Sequence, residues 1–210
     1  MSFLKFTVVC VAALVICGCD WGQPTFLSPT PGKQAISAVT DLGKDRRHFW
    51  RADFAATKKD AESGDAGAQT NLGSMYLTGD GVPQDDAEAV KWYRLAADQG
   101  FAVAQSNLGF MYAEGQGVPQ DYVEAVKCFR LAADQGLADA QFSLGLRYAQ
   151  GQGVPQDYVE AYAWFSLAAA GGFADFVKGR DIAAGDLTPE QLLEGQKRAA
   201  ELLHEHGSGQ

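Results

Sequence analysis

Apolar residues recur along this chain at the spacing of α-helices, in pairs of segments that repeat every 36 residues. The first helix of each pair carries its apolar positions on one side of a helical wheel, and the second helix follows the i, i+3, i+4, i+7 rule. In the first repeat these positions are Ala68, Leu72, Met75, Tyr76 and Gly79, then Ala89, Trp92, Tyr93 and Ala96. The segments 68–103, 104–139 and 140–175 align without a gap, and neighbouring segments share 25 and then 24 of 36 residues. Because neither helix can bury its apolar side alone, the pattern predicts an all-α solenoid of stacked helix–turn–helix repeats with capped ends.

A glycine and proline motif predicts where the two helices of each repeat end and begin. The sequence Gly-x-Gly-Val-Pro-Gln-Asp stands at 79–85, 115–121 and 151–157. Its first glycine suits the left-handed cap of a helix C-terminus, and its aspartate suits the N-cap of the next helix. A glutamate follows each aspartate at the spacing of a capping box: Glu88, Glu124 and Glu160. Near the end of the chain, Thr188, Pro189 and Gln191 likewise predict the start of a closing helix.

These motifs resemble the Sel1-like repeat, a relative of the tetratricopeptide repeat. The matching pattern is Ala-Gln-x-Asn-Leu-Gly-x-Met-Tyr, Gly-x-Gly-Val-Pro-Gln-Asp, Glu-Ala-x-Lys-Trp-Tyr and Leu-Ala-Ala-x-x-Gly. The resemblance extends weakly to a degenerate N-terminal half-repeat at 49–67 and to a C-terminal capping helix and tail at 176–210. It implies a right-handed α-solenoid that acts as an adaptor or scaffold for a protein or peptide partner.

The positions that differ between repeats predict where such a partner binds. In the first helices they lie opposite the repeated apolar stripe, and in tetratricopeptide-like superhelices the first helices line a concave groove. The predicted groove residues are Thr70, Ser74, Leu77, Ser106, Phe110, Ala113, Phe142, Leu146, Arg147 and Ala149. Phe110, Phe142 and Leu146 are expected to form an apolar floor, and Arg147 is expected to add a charge. The alternative is that these three apolar residues pack against a neighbouring repeat or the C-terminal helix.

The N-terminal residues have the pattern of a removable secretion signal at 1–18. Lys5 precedes an uncharged run at 6–16, which as a helix measures about 16 Å, about half of a membrane's hydrocarbon core. The run ends in Ile16-Cys17-Gly18-Cys19, which resembles the bacterial lipobox, and the alternative is an ordinary signal peptide with chance cysteines. The resemblance implies that Cys19 carries a lipid, that residues 19–48 hold a flexible tether, and that the protein is anchored in the cell envelope facing the periplasm. Asp20 resembles a signal for retention in the inner membrane.

Composition and charge narrow the functions further. With 17 basic and 26 acidic residues the chain has a net charge of −9, which disfavours nucleic acid as a partner. The histidines are His48, His204 and His206, and none is spaced to chelate a metal, so no metal or cofactor is expected. Removal of the signal and lipidation of Cys19 leave Cys128 as a single thiol, predicted to be buried and inert. No catalytic residue is predicted.

Two other functions are alternatives to the adaptor. Some cysteine-rich Sel1-like proteins are described as β-lactam-binding hydrolases, but they carry paired cysteines in every repeat, which this chain lacks, and the sequence after the predicted signal has no Ser-x-x-Lys motif. A passive structural spacer is the other possibility, and it predicts that no groove substitution has an effect.

Overall fold

The nine helices of the described chain follow one another as antiparallel pairs joined by short turns. The computed structural model describes the backbone of residues 54–207 and the side chains of residues 54–205. The helices are α1 (54–62), α2 (Ala66–Thr78), α3 (Asp86–Asp98), α4 (Ala102–Glu114), α5 (Tyr122–Asp134), α6 (Ala138–Gln150), α7 (Tyr158–Ala169), α8 (Ala174–Gly185) and α9 (Pro189–Gly207). The predicted all-α repeat fold is confirmed. No helix in this part of the chain is both long and apolar enough to span a bilayer.

The turn motif forms the predicted helix ends. Gly79, Gly115 and Gly151 adopt the left-handed conformation at the C-termini of α2, α4 and α6, with φ of 78°, 69° and 66°. The next helix starts at an aspartate whose carboxylate accepts backbone N–H groups, as Asp121 does from Val123 and Glu124 at 2.9 and 3.1 Å. These contacts fix the helix boundaries locally, which explains why the sequence alone predicts them.

The glutamates do not complete the predicted capping box. A capping box needs the backbone N–H of the capping residue, but Asp85, Asp121 and Asp157 donate theirs to tyrosine carbonyl groups of the preceding helix. Glu88 and Glu124 pair instead with a lysine one turn later, with the Nζ of Lys91 and Lys127 each 2.5 Å from a carboxylate oxygen. The prediction that these glutamates act as caps is therefore wrong.

Within each repeat, an aromatic side chain of the second helix packs on a glycine of the first. A Cβ built at Gly73, Gly109 or Gly145 would lie 2.8 Å from the ring of Tyr93, Phe129 or Phe165. Tyr93 and Phe129 are 1% exposed. The glycines therefore permit the close helix approach on which the core of each repeat depends.

Between repeats, buried glutamines link successive helices. Gln69, Gln105 and Gln141 are 5–6% exposed, and their side-chain amides donate to the carbonyl groups of Ala61, Ala97 and Ala133. Because Gln69 makes this contact with α1, helix α1 occupies the place of a second helix. It continues the packing of the array at its N-terminal side.

The C-terminal end contains a helix that the repeat pattern did not predict. Helix α8 follows α7 at the repeat spacing and so stands as the first helix of a fourth unit. Arg180 and Asp181 occupy the positions of the buried Leu144 and Gly145 of α6, and the Arg180 guanidinium donates twice to Asp181 Oδ1, at 2.9 and 2.6 Å. Charged groups in these positions oppose a further second helix, and the array stops here.

Helix α9 starts where predicted and packs mainly on α7. Thr188 Oγ1 accepts from the N–H of Gln191 at 3.3 Å, while Gln191 Oε1 accepts from the N–H of Thr188 at 3.0 Å, which is a complete capping box. Arg198 of α9 reaches Glu160 at 3.0 Å, and it supplies the cation that Lys91 and Lys127 give to the glutamates of the first two repeats. In the third repeat, Ala163 occupies the position of this lysine and is 0% exposed. The small alanine side chain leaves space for α9 to pack on α7.

Candidate functional site

A row of positions runs across the first helices of the array, and we call it the first-helix row. Its members are Ser74 on α2, Phe110 on α4, Leu146 on α6 and Ile182 on α8, each 36 residues from the next. Phe110 is 40% exposed and Ile182 is 55% exposed, while Ser74 and Leu146 are half-buried. Three neighbouring first helices therefore present an apolar side chain at the same position of the repeat.

Phe110 combines exposure with a fixed orientation. One edge of its ring packs on Phe129 of α5, with centroids 5.1 Å apart and planes at 76°. Exposed aromatic rings that also pack on the fold are common anchors at protein interfaces.

The polar end of the row is formed by a hydrogen-bonded group. Ser74 Oγ lies 3.0 Å from the hydroxyl of Tyr93, which also bonds to the side chain of Asn107. Burial raises the pKa of Tyr93, so its hydroxyl stays protonated at neutral pH. This contact joins α2, α3 and α4 beneath the start of the row.

Three predicted groove residues lie inside the fold. Thr70, Ser106 and Ala113 are 4%, 3% and 2% exposed. Thr70 Oγ1 donates to the carbonyl of Ala66 at 2.8 Å. These side chains face neighbouring helices and cannot contact a partner, so their assignment to the groove is corrected.

Phe142 also belongs to the packing of the array. Its ring lies 5.0 Å from that of Phe165 in α7 and 5.3 Å from that of Phe176 in α8. A Cβ at Gly179 would approach the Phe142 ring to 2.4 Å. Phe142 is half-buried and anchors α8, so it packs against a neighbouring unit and does not form a groove floor.

Arg147 occupies a packing position as well. It replaces Met111, which is 1% exposed in the preceding repeat. Its Nη1 donates to Gln152 at 2.5 Å, and its guanidinium lies 5.5 Å from the centroid of the Tyr122 ring. Burial lowers the pKa of Arg147 and its Nε has no hydrogen-bond partner. The residue therefore lies at the junction of two repeats and does not place a free charge in the groove.

The remaining predicted residues lie at intermediate depth. Leu77 is half-buried and packs on the cluster around Tyr93 and Met111, and Ala149 is half-buried near the end of α6. Cys19 lies outside the described residues, as do the predicted signal and the tether.

Sequence reasoning missed Ile182, although a signal was available. When the 36-residue alignment is extended beyond residue 175, Ile182 occupies the position equivalent to Leu146. Few residues match between repeats in this segment, because Arg180 and Asp181 interrupt the apolar stripe. The apolar pattern alone therefore does not predict helix α8.

Acidic side chains border the row on the same helix faces. Asp139 and Asp175 stand two turns before Leu146 and Ile182, and Glu114 and Asp186 stand one turn after Phe110 and Ile182. All four acidic side chains are exposed. Acidic residues thus stand before the row on α6 and α8 and after it on α4 and α8, while exposed Lys178 stands one turn before Ile182.

The described residues hold no group of three or more His, Cys, Asp or Glu side chains arranged for a metal. Cys128 is half-buried, and burial raises the pKa of its thiol to about 11. A thiol with that pKa is almost fully protonated at neutral pH and is a weak nucleophile.

Comparison with known proteins places this geometry in a family. The Sel1 repeat matches residues 66–101, 102–137 and 138–173, beginning where α2, α4 and α6 begin. No curated protein matches the chain.

Two solved structures are similar to the chain. The crystal structure of c5321, described as a protective antigen of uropathogenic Escherichia coli strains displaying an SLR fold, is 36% identical with a TM-score of 0.69. The match covers 74% of this chain and 33% of c5321, so the chain spans about one third of that structure. A Sel1 repeat protein from Oxalobacter formigenes is 42% identical with a TM-score of 0.56, over 61% of this chain and 97% of that one. The repeats, their turn motifs and these similarities show that the chain belongs to the Sel1 repeat family.

Proposed function

We propose that this protein is a membrane-held scaffold that captures a protein partner on the first-helix row. The Sel1 repeat fold is generally an interaction module without catalytic activity. The observation that carries the proposal is that Phe110, Leu146 and Ile182 stand in register on successive first helices, with Phe110 and Ile182 at 40% and 55% exposure. An exposed apolar line of this kind is typical of a binding surface.

Exposed apolar residues on the second helices form a shorter row. Leu95 and Leu131 stand 36 residues apart at 49% and 54% exposure, but the equivalent Leu167 of the third repeat is 8% exposed. Each exposed leucine also stands one turn from the charged pair of Lys91 or Lys127 with its glutamate, and exposed leucines among charges are ordinary surface features. Leu131 therefore supplies a matched control for substitutions in the row.

Phe110→Glu is expected to abolish partner capture while the array stays folded. The substitution places a carboxylate in the apolar line and removes the contact with Phe129, which is worth about 1 kcal/mol in addition to the apolar burial that is lost. Chemical crosslinking in the native cell, followed by mass spectrometry of the captured proteins, measures the effect. Leu131→Glu makes a comparable change at an exposed position of the second helix α5 and is expected to keep the partner. If both variants capture the same proteins as the unaltered chain, the first-helix row is not the binding surface.

The membrane part of the proposal rests on the lipobox resemblance at 16–19. Acyl chains on one cysteine would bury many CH₂ groups at about 0.8 kcal/mol each, which holds a protein at the bilayer without a spanning helix. Cys19→Ala is expected to move the protein from the membrane fraction into the soluble periplasmic fraction, and Cys128→Ala is the control that leaves it in the membrane fraction. Continued membrane association of the Cys19 variant would contradict the lipid anchor.

A further inference from the structure

The chemistry of the first-helix row specifies the kind of segment that fits it. The apolar members Phe110, Leu146 and Ile182 lie on α4, α6 and α8, which are the first helices of three successive units. A segment that contacts all three side chains must therefore cross these helices and cannot lie along one of them.

Helix α8 makes the row longer than three repeats alone would. Phe142 packs on Phe165 and on Phe176, and this contact holds α8 against α6 and α7. Ile182 lies six residues after Phe176 on α8 and is 55% exposed. The array therefore ends on an open apolar position that no other described element covers.

The charges beside the row are almost all negative. Asp139 and Asp175 border one edge, and Glu114 and Asp186 border the other. Lys178 is the one exposed cation on α2, α4, α6 and α8, because Arg147 is half-buried and Arg180 is paired with Asp181. Opposite charges across an interface select partners and speed their association.

We propose that the occupant of the row is a segment of another protein that carries apolar side chains with lysine or arginine on both sides of them. The apolar side chains pack on Phe110, Leu146 and Ile182, and the cations face the two acidic edges. This assignment rests on the proposed function, since it names the chemistry of the partner that the same row captures. It excludes acidic segments, which both edges would repel.

Fluorescence anisotropy with labelled peptides tests the assignment on the purified full chain. The first peptide alternates leucine and phenylalanine with lysine and arginine, the second replaces every cation with glutamate, and the third keeps the cations and replaces the apolar residues with serine. The first peptide is expected to bind at least about tenfold more tightly than either of the others, and its affinity is expected to fall as salt is added. Equal binding of the glutamate peptide, or equal binding of the serine peptide, would overturn the assignment.

Variants of the protein locate the binding. A variant with Glu114→Gln, Asp139→Asn, Asp175→Asn and Asp186→Asn is expected to lose about tenfold in affinity for the first peptide. The control neutralises the same number of acidic residues outside the row, with Asp60→Asn, Asp98→Asn, Glu190→Gln and Glu194→Gln, and is expected to bind normally. Ile182→Ser is expected to weaken binding without a change in helical content. An equal loss in the two neutralised variants would mean that only net charge attracts the peptide, and the assignment would be wrong.

Two further outcomes separate this inference from the proposed function. If no peptide binds, but Phe110→Glu still removes a crosslinked partner in the cell, the row binds something other than a basic apolar segment, and only the present inference fails. If sedimentation shows self-association that Ile182→Ser abolishes, the occupant is a second copy of this chain, and the inference fails as well.

Discussion

Gly153→Ala is expected to lower the free energy of unfolding by more than about 3 kcal/mol, because the added methyl group collides with the backbone of the preceding repeat. Gly153 has φ of 76°, and a Cβ there would lie 2.2 Å from the carbonyl oxygen of Tyr122 and 2.5 Å from its carbonyl carbon. Both atoms are backbone in the first turn of α5, so no side chain can rotate away. The second and third repeats must separate at this point or distort. Urea denaturation followed by circular dichroism measures the loss.

Gly136→Ala is the matched control for this prediction. Gly136 has φ of 84°, but nothing lies within 4 Å of a Cβ built on it. Its substitution carries only the conformational cost of a left-handed alanine, about 1–2 kcal/mol. Equal losses in the two variants would show that backbone conformation, and not contact between repeats, determines the requirement for glycine. Gly117 occupies the equivalent position one repeat earlier, 2.2 Å from the carbonyl oxygen of Asp86, and is expected to behave like Gly153.

Leu202→Ala is expected to detach the closing helix α9 from α7. Leu202 is 2% exposed and belongs to the same cluster as Ala163, Trp164 and Leu167. Truncation of a fully buried leucine costs about 2–5 kcal/mol, and most of this loss falls on one interface. Hydrogen exchange is expected to accelerate along α9 and at the α7 amides that α9 covers, and thermal denaturation is expected to begin at a lower temperature.

Leu203→Ala tests the specificity of that effect. Leu203 is the next residue on the same helix, and its side chain is 58% exposed. Its truncation removes the same atoms from a position that makes little contact, so we expect a change within about 0.5 kcal/mol. If Leu203→Ala and Leu202→Ala accelerate exchange alike, α9 is held by helix propensity and by Arg198, and the buried leucine contributes little.

The parts of the fold that the sequence predicted are those fixed within a few residues. The caps at Gly115 and Asp121 depend on backbone conformation and on a side chain bonding to amides two and three residues away, and both form as predicted. The capping box at Thr188 and Gln191 is equally local. The glutamate that follows the turn motif does not act as the predicted cap, because that role depends on a group farther away in the sequence. The N–H of Asp121, which the glutamate would accept, donates to the carbonyl of Tyr112.

The candidate site was predictable only in part, for a related reason. Variation between repeats identified which positions are free of the common packing pattern, and Phe110 is exposed at such a position. Variation does not show which way a side chain points once two helices meet. Ser106 differs between repeats and is nevertheless only 3% exposed. Phe142 differs because its ring packs on α8, and nothing in the preceding repeats indicates that this helix is present.

The sequence by itself determined the repeat length, the helix ends and the family. Each is encoded by residues close together in the chain, and the same residues recur in three repeats. Tertiary structure alone decided where the array stops, which helix α9 covers, and which variable residues remain exposed. Those outcomes depend on contacts between residues far apart in sequence, such as Arg198 with Glu160, whose partners a helical period cannot identify. The first-helix row exists because packing buried its neighbours Thr70, Ser106 and Phe142 to different depths and left Phe110 and Ile182 exposed.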